Sequence, residues 1–231
     1  MIKKVITKAH QHWKFFTDSD ESLTILMAFL ILYVFLIYPL SDSEIHNNSV
    51  ASLGFGLVLL LGVMAIARRR SARLCMIVLA ITAFTTHLLR FLMMSNTAHI
   101  VSASLSSIFF IMLVVFIMVR VFGKGSINRS RICGAIAAYI LLGLVWTEFY
   151  VIIFLISPEA FYTNPSTNFG EPPISEMLYF SFVCLTTMGF GDIIPVSPLA
   201  RSLVSLEGLL GQLYPAVLLA RLVTLYNHQA K

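Results

Sequence analysis

The sequence predicts an all-α membrane protein, and three of its features lead to this fold class. Hydrophobic residues make up 58% of the 231 positions, only 12% of the residues are charged, and the mean hydropathy is +0.87. An ordinary soluble domain has about a quarter of its residues charged. The hydrophobic residues also form runs of about 18 or more, and helices of that length cross a hydrocarbon core of about 30 Å. We therefore expect six transmembrane helices, with a re-entrant helix and loop between the last two.

Six apolar runs have the length of a membrane span. They cover Leu23 to Leu40, Val50 to Ala67, Leu74 to Met94, Ile100 to Phe122, Ile132 to Ile156 and Leu199 to Tyr226. The predicted domains are a cytoplasmic tail (1–22), four spans (23–131), two spans with the re-entrant element (132–227) and a second short cytoplasmic tail (228–231). The first tail could instead form an amphipathic helix on the membrane, because aromatic residues alternate with its lysines.

The distribution of charge predicts the orientation. Fourteen of the sixteen Lys and Arg residues fall on one side of a six-span arrangement. The side richer in Lys and Arg is normally cytoplasmic, so both termini are predicted to lie inside. The opposite loops carry acidic residues, namely Asp42, Glu44, Glu159, Glu171, Glu176 and Asp192. Their charges would concentrate cations outside to a modest extent that salt screens.

The connection between the last two spans has two parts. Residues Ser157 to Pro173 are polar and rich in proline, so we expect an aqueous loop. Residues Ser175 to Thr186 are apolar but too few to cross the membrane, which suits a re-entrant helix whose irregular continuation is surrounded by protein. The negative C-terminal end of such a helix would stabilise a hydrated cation near the bilayer centre.

The run Thr186 to Asp192, with the sequence Thr-Thr-Met-Gly-Phe-Gly-Asp, follows this predicted helix. Gly189 and Gly191 tolerate left-handed backbone angles that other residues avoid, so successive carbonyl groups can point to one axis. Four such strands would form rings of oxygen atoms that replace the hydration shell of a cation, and the Thr187 hydroxyl would add a further ring. The run therefore predicts a cation pathway.

This run resembles the selectivity filter of potassium channels, whose usual form is Thr-Val-Gly-Tyr-Gly-Asp. Residues Ala135 to Tyr226 resemble the short bacterial potassium-channel family that has one pore loop per chain. The resemblance implies a homotetramer, since a single chain cannot close the carbonyl rings. It also implies K⁺ as the permeant ion. The coordinating filter residues would be Thr187, Met188, Gly189, Phe190 and Gly191, with K⁺ held at the first four of them.

Two filter positions depart from the family pattern. Phe190 stands where the family has a tyrosine whose hydroxyl is held by a cuff of pore-helix aromatic residues, and Tyr179 and Phe180 occupy the cuff positions here. Met188 replaces a valine or isoleucine, with its longer side chain packed behind the filter. The resemblance implies that Thr186 and Asp192 support the two ends of the filter. Both departures bear on the strictness of K⁺ selectivity.

The last span resembles the pore-lining inner helix of this family. Gly208 and Gly211 lie where a hinge would be, but close packing on the pore helix is an equally good reason for glycine, which costs about 1 kcal/mol in a helix. The family alignment places Gln212 and Pro215 towards the central cavity. Pro215 would kink the helix, and the kink could be part of a gate or a simple bend.

Two acidic residues, Glu148 and Glu207, lie inside predicted spans, where charge is costly and usually functional or paired. Glu207 should lie behind the filter, and we expect it to be protonated or hydrogen-bonded and to support the pore helix. Glu148 could do the same from the preceding span. A proton relay is the alternative for both.

Six spans with a pore between the last two also describe voltage-gated channels. A voltage sensor needs arginines at every third residue of one span, and the fourth span offers only Arg120 at its cytoplasmic end. We therefore expect little voltage dependence. His87 and Arg90, near the outer end of the third span, could sense external pH or extend to the membrane interface, and the second interpretation is favoured.

Together these features predict a tetrameric, K⁺-selective channel in the inner or plasma membrane, with identical subunits and the lipid bilayer as its partners. We expect no enzymatic activity, no cofactor beyond the permeant ion, no nucleic acid partner and no soluble regulatory domain. A weakly selective cation channel is one alternative. A non-conducting channel-like sensor or regulatory subunit is another. The sequence does not indicate the gating stimulus or the role of the first four spans.

Overall fold

The computed structural model describes residues 21–37, 49–66, 70–93, 95–123, 128–163 and 174–229. The predicted N-terminal tail, apart from its last two residues, and the last two residues of the chain lie outside this description. The described chain is largely helical, as the long apolar runs predict. It has seven long helices, one short 3₁₀ turn and two short strands.

Four helices come before the predicted pore domain. They are α1 (Glu21–Leu32), which continues as a π-helical turn (Tyr33–Ile37), α2 (Ser49–Ala65), α3 (Arg70–Met93) and α4 (Asn96–Phe122). The later elements are α5 (Arg129–Ile156), a 3₁₀ turn (Pro158–Ala160), β1 (Phe161–Thr163), α6 (Ile174–Leu185), β2 (Ile193–Pro195) and α7 (Pro198–Gln229). Helix α5 begins with a side-chain cap, because the Asn128 Oδ1 accepts a hydrogen bond of 3.1 Å from the Arg131 N–H.

Four of the described helices are long and apolar enough to cross a membrane. The segments are Ala72–Arg90 in α3, Asn96–Phe122 in α4, Arg129–Ile156 in α5 and Pro198–Arg221 in α7. The described apolar helices Glu21–Ile37 and Val50–Ala65 are shorter than these. The first predicted span extends to Leu40, beyond the described residues. Six spans therefore stay a prediction.

Helix α5 is the centre of the described fold. It packs against α4 and α1 on one side and against α6 and α7 on the other. Gly143 allows α6 to approach closely, because a Cβ atom there would lie 2.7 Å from the Phe182 ring. Consequently α6 is held against the middle of the chain's most buried helix.

A small antiparallel sheet connects the segment after α5 with the segment before α7. Phe161 pairs with Pro195 and Thr163 pairs with Ile193, so β1 and β2 lie side by side. The Ala160 carbonyl extends the contact by accepting a 2.8 Å hydrogen bond from the Val196 N–H. The sequence predicts only an aqueous loop at 157–173. This prediction is wrong for Pro158–Thr163, which form a 3₁₀ turn followed by β1. Three residues are too few to show strand periodicity.

Candidate functional site

The run predicted to line an ion pathway has an alternating backbone. Thr187, Gly189 and Gly191 have positive φ angles of 59°, 60° and 77°, while Met188 and Phe190 between them are not in this region. Glycine adopts such angles readily, whereas a threonine there costs free energy and needs support from its surroundings. Because positive φ angles occur at every second residue, successive peptide units are turned in a repeating way, as a carbonyl-lined strand requires.

The start of this run is fastened to the end of α6 by backbone hydrogen bonds. The Met188 N–H donates to the Val183 carbonyl at 2.9 Å, and the Thr187 N–H donates to the Cys184 carbonyl at 2.9 Å. These bonds use two of the carbonyl groups that a helix C-terminus otherwise leaves without partners. They also hold the left-handed Thr187 in place directly below the two glycines.

The run is open along its length in the single chain. Met188 is 64% exposed and Phe190 is 65% exposed. A Cβ atom added to Gly189 or to Gly191 would meet nothing within 4 Å. Glycine is therefore explained at these two positions by the backbone angle and not by close packing inside the subunit.

The two residues predicted to form an aromatic cuff have different surroundings. The Tyr179 side chain is 40% exposed, and its hydroxyl lies near the Asp192 carboxylate at the end of the run Thr186 to Asp192. Phe180 is buried and packs against Tyr150 and Phe161, with ring centroids at 5.2 and 5.6 Å. Within the chain, Tyr179 therefore lies near the end of the run Thr186 to Asp192, whereas Phe180 belongs to the core behind it.

Glu207 lies behind α6, fully buried from solvent. One of its oxygens is 2.7 Å from the Ser181 hydroxyl, and the other is 2.5 Å from the Tyr150 hydroxyl. The Ser181 hydroxyl is also 2.8 Å from the Gly143 carbonyl oxygen. These contacts, which we call the Glu207 network, join α5, α6 and α7 at one point. A buried carboxyl group needs such partners, because burial without them is costly.

The two glycines for which a hinge and close packing are both expected, Gly208 and Gly211, are not equivalent. A Cβ atom at Gly211 would overlap the carbonyl group of Leu185, the last residue of α6. At Gly208 the nearest atom would be the Cys184 carbonyl oxygen at 3.8 Å, which is an ordinary contact. The same end of α6 is held from the other side by Tyr139, whose hydroxyl donates to the Leu185 carbonyl at 3.1 Å. Gly211 thus has a packing role.

Gln212 and Pro215 lie on an exposed face of α7. The Gln212 Nε2 is 3.5 Å from the Thr187 Oγ1, so this residue lies beside the start of the filter run. Pro215 lies inside the helix, which continues on both sides of it to Gln229. In the described chain this face of α7 is exposed.

Glu148 is not part of the Glu207 network. Its side chain lines a separate cavity of about 40 Å³ together with Arg90 and His87 from α3 and Leu178 from α6. His87 is buried, stacks on Phe55 with ring centroids 4.4 Å apart, and lies 3.3 Å from the Ser52 hydroxyl. The interpretation that His87 extends to the membrane interface is therefore wrong.

An exposed acidic residue lies on the turn before β1. The Ser157 hydroxyl donates to the Glu159 carboxylate at 2.6 Å. This hydrogen bond lowers the pKa of Glu159 below its ordinary value, because it favours the charged form. Glu159 therefore keeps its negative charge at the end of the molecule where the filter run leads into β2.

Three side chains that position these elements are missing from the sequence-based site. Tyr150 and Ser181 bind Glu207 from 57 and 26 positions away, and Tyr139 reaches Leu185 across 46 positions. A serine and two tyrosines in apolar helices are a weak signal when read alone. Only their spatial neighbours show what they do.

The fold and the site define a membrane protein with an ion channel domain. Residues 138–227 match a family model described as Ion channel. The match covers most of α5, all of α6, the run Thr186 to Asp192 and nearly all of α7, and it supports an ion channel family for this chain. Comparisons with curated proteins and with solved structures gave no match. An ion channel domain favours passive ion conduction over enzymatic activity.

Proposed function

We propose that the protein is a K⁺-selective channel in which four identical chains surround one pore. The observation that carries this proposal is the alternation of positive φ angles at Thr187, Gly189 and Gly191 in an exposed run. Four copies around an axis would present stacked rings of carbonyl oxygens, and such rings replace the hydration shell of K⁺. The coordinating groups would be the carbonyls of Thr187 to Phe190 and the Thr187 hydroxyl.

The surroundings of the run support a re-entrant arrangement. Helix α6 has 12 residues, about 18 Å at 1.5 Å per residue, and it ends in the run itself. This length is too short to cross a hydrocarbon core of about 30 Å. Irregular backbone at membrane depth requires protein around it. Here α5 and α7 pack on α6, and neighbouring subunits would cover the exposed side.

The exposed surface of α7 supports the tetramer. Only 11% of the apolar segment of α7 is buried within the chain, against 56% of the apolar segment of α5. Helix α7 also carries Gln212 next to Thr187, so its exposed face continues directly from the filter run. A water-filled cavity between four copies of α7 would explain both observations. In this arrangement both termini lie in the cytoplasm of a cell with the channel in its inner or plasma membrane.

A weakly selective cation channel is the second candidate, and Phe190 favours it. Phe190 carries no hydroxyl, and Phe180, which occupies a cuff position, is buried against Tyr150 and Phe161. A filter held less firmly at its outer end would discriminate less sharply between K⁺ and Na⁺. In that case the carbonyl rings still conduct.

The decisive test is ion flux through the purified full-length chain in liposomes. We expect flux that barium blocks and a reversal potential that follows the K⁺ gradient in mixed K⁺ and Na⁺ solutions. The variant Gly189→Ala, which strains a backbone with φ near 60°, should abolish flux, while Gly208→Ala should retain it. Equal K⁺ and Na⁺ permeabilities would establish the weakly selective channel instead. Absence of flux at every voltage and pH would favour a non-conducting subunit.

A further inference from the structure

A cavity lies between α2 and α3, and none of its described lining residues belongs to α5, α6 or α7. It has a volume of about 550 Å³ and is open at one side. Leu57, Leu60 and Val63 of α2 and Ile81 and Phe84 of α3 are among its lining residues. Water would fill such an apolar groove only at a cost, so an apolar occupant is favoured.

Its position places this groove towards lipid. Helix α3 packs chiefly against α2 and α4, while the elements next to the filter pack on α5. Only 17% of the apolar segment of α3 is buried within the chain, compared with 50% of the apolar segment of α4. In a tetramer built around the filter, α2 and α3 would lie at the outer edge of each subunit, where the bilayer surrounds them.

Among the described lining residues, Arg73 in the first turn of α3 carries a charge, and it lies at one end of the groove. In the sequence, Arg68, Arg69 and Arg70 precede Arg73 by three to five positions. The groove extends along α3 from Arg73 to Thr85, which is about 18 Å at 1.5 Å per residue. One leaflet of the hydrocarbon core is about 15 Å deep. The groove thus has the depth of one leaflet and a positive charge where a headgroup would lie.

We propose that this groove binds one anionic phospholipid, with its acyl chains between α2 and α3 and its phosphate group next to Arg73. Basic pockets between transmembrane helices recognise anionic headgroups in this way, and apolar lining residues retain the chains. The occupant is a lipid and not another protein helix, because a charge at one end of a leaflet-deep groove matches a headgroup. This site does not depend on ion selectivity.

The test measures which lipids remain bound to the intact protein. The full-length chain is reconstituted with equal amounts of phosphatidylglycerol and phosphatidylcholine, extracted gently, and analysed by native mass spectrometry. We expect Arg73→Gln to lower retained phosphatidylglycerol about five-fold, the effect of one basic residue near the headgroups, with phosphatidylcholine unchanged. Ala80→Trp, which fills the groove, should lower retention of both lipids.

Two matched variants serve as controls. Arg129→Gln removes a positive charge from the start of α5, and Val78→Trp adds the same bulk to an exposed position of α3 that does not line the groove. Equal loss of phosphatidylglycerol in Arg73→Gln and Arg129→Gln would overturn the proposal. Unchanged retention in Ala80→Trp would do so too. A disulfide between two copies carrying Ile81→Cys, with Cys75, Cys133 and Cys184 replaced by alanine, would show that a second chain occupies the groove instead.

Discussion

The pore unit of α5, α6 and α7 and the preceding helices α1 to α4 use polar side chains differently. In the pore unit, Tyr150, Ser181 and Glu207 make hydrogen bonds between helices. In α3 and α4 several hydroxyl groups instead bond to carbonyls one turn earlier in their own helix, as Thr85 does to Ile81 and Ser106 does to Ser102. The Glu207 network joins three helices around one buried carboxyl group, whereas the contact of His87 with Ser52 in the earlier helices joins two.

The two kinds of contact differ in how strictly they fix the positions of atoms. Apolar packing tolerates small shifts, because it depends on volume and pattern more than on the placement of single atoms. A hydrogen bond weakens steeply with distance and angle, so a network of them fixes the position of α6 behind the filter run. Substitutions in the pore unit should therefore change conduction more than matched substitutions in α1 to α4.

The largest effect is expected for Gly211→Ala. The new methyl group would overlap the Leu185 carbonyl at the end of α6, and overpacking of this kind typically costs about 1–3 kcal/mol. We expect the melting temperature of the protein to fall and the ion flux in liposomes to drop at least about ten-fold. Gly208→Ala is the matched control, since its methyl group would meet only an oxygen at 3.8 Å. Equal flux in the two variants would show that Gly211 has no packing role.

The next effect is expected for Glu207→Gln. The amide keeps the shape of the side chain but replaces one oxygen by a donor, so one contact with Tyr150 or Ser181 is lost, at a cost of about 1–3 kcal/mol. We predict a several-fold lower single-channel conductance with unchanged tetramer assembly. Glu148→Gln, an acid-to-amide change outside the network, should alter conductance little. Unchanged conductance and selectivity in Glu207→Gln would show that Glu207 does not support α6.

Sequence patterns predict those features that depend on neighbouring residues. The alternating glycines show in the chain itself because a positive φ restricts the residue at one position. The apolar runs predict helices for the same local reason. The partners of Glu207 come from 26 and 57 positions away, so no local pattern reveals them. The sequence leaves the role of Gly211 open between hinge and packing, since the deciding atom, the Leu185 carbonyl oxygen, belongs to another helix.

A smaller effect should distinguish two buried serines. Ser181 is fully buried and bridges Glu207 and the Gly143 carbonyl, whereas Ser106 is 2% exposed and bonds to a carbonyl of its own helix. Ser181→Ala should destabilise the tetramer by about 1–2 kcal/mol, because a buried carboxyl group loses a partner. Ser106→Ala should cost less than about 0.5 kcal/mol, since only a local bond that competes with the helix is removed. Melting curves in one detergent measure the loss of stability in both variants. Similar losses in Ser181→Ala and Ser106→Ala would contradict the contrast between the two regions.

The smallest effect is expected at the exposed outer end. Glu159→Gln removes a negative charge close to the exit of the filter run, and the resulting loss of local cation concentration should lower K⁺ flux less than about two-fold at low salt. At about 1 M salt, where the screening length is about 3 Å, the difference should vanish. Because the Ser157 hydroxyl lowers the pKa of Glu159, its charge is lost at a lower pH than the charge of an ordinary glutamate. The wild-type advantage over Glu159→Gln should consequently persist on mild acidification of the outer solution, and Ser157→Ala should make it disappear at a higher pH. An advantage independent of salt would mean that Glu159 acts through local structure and not through its charge.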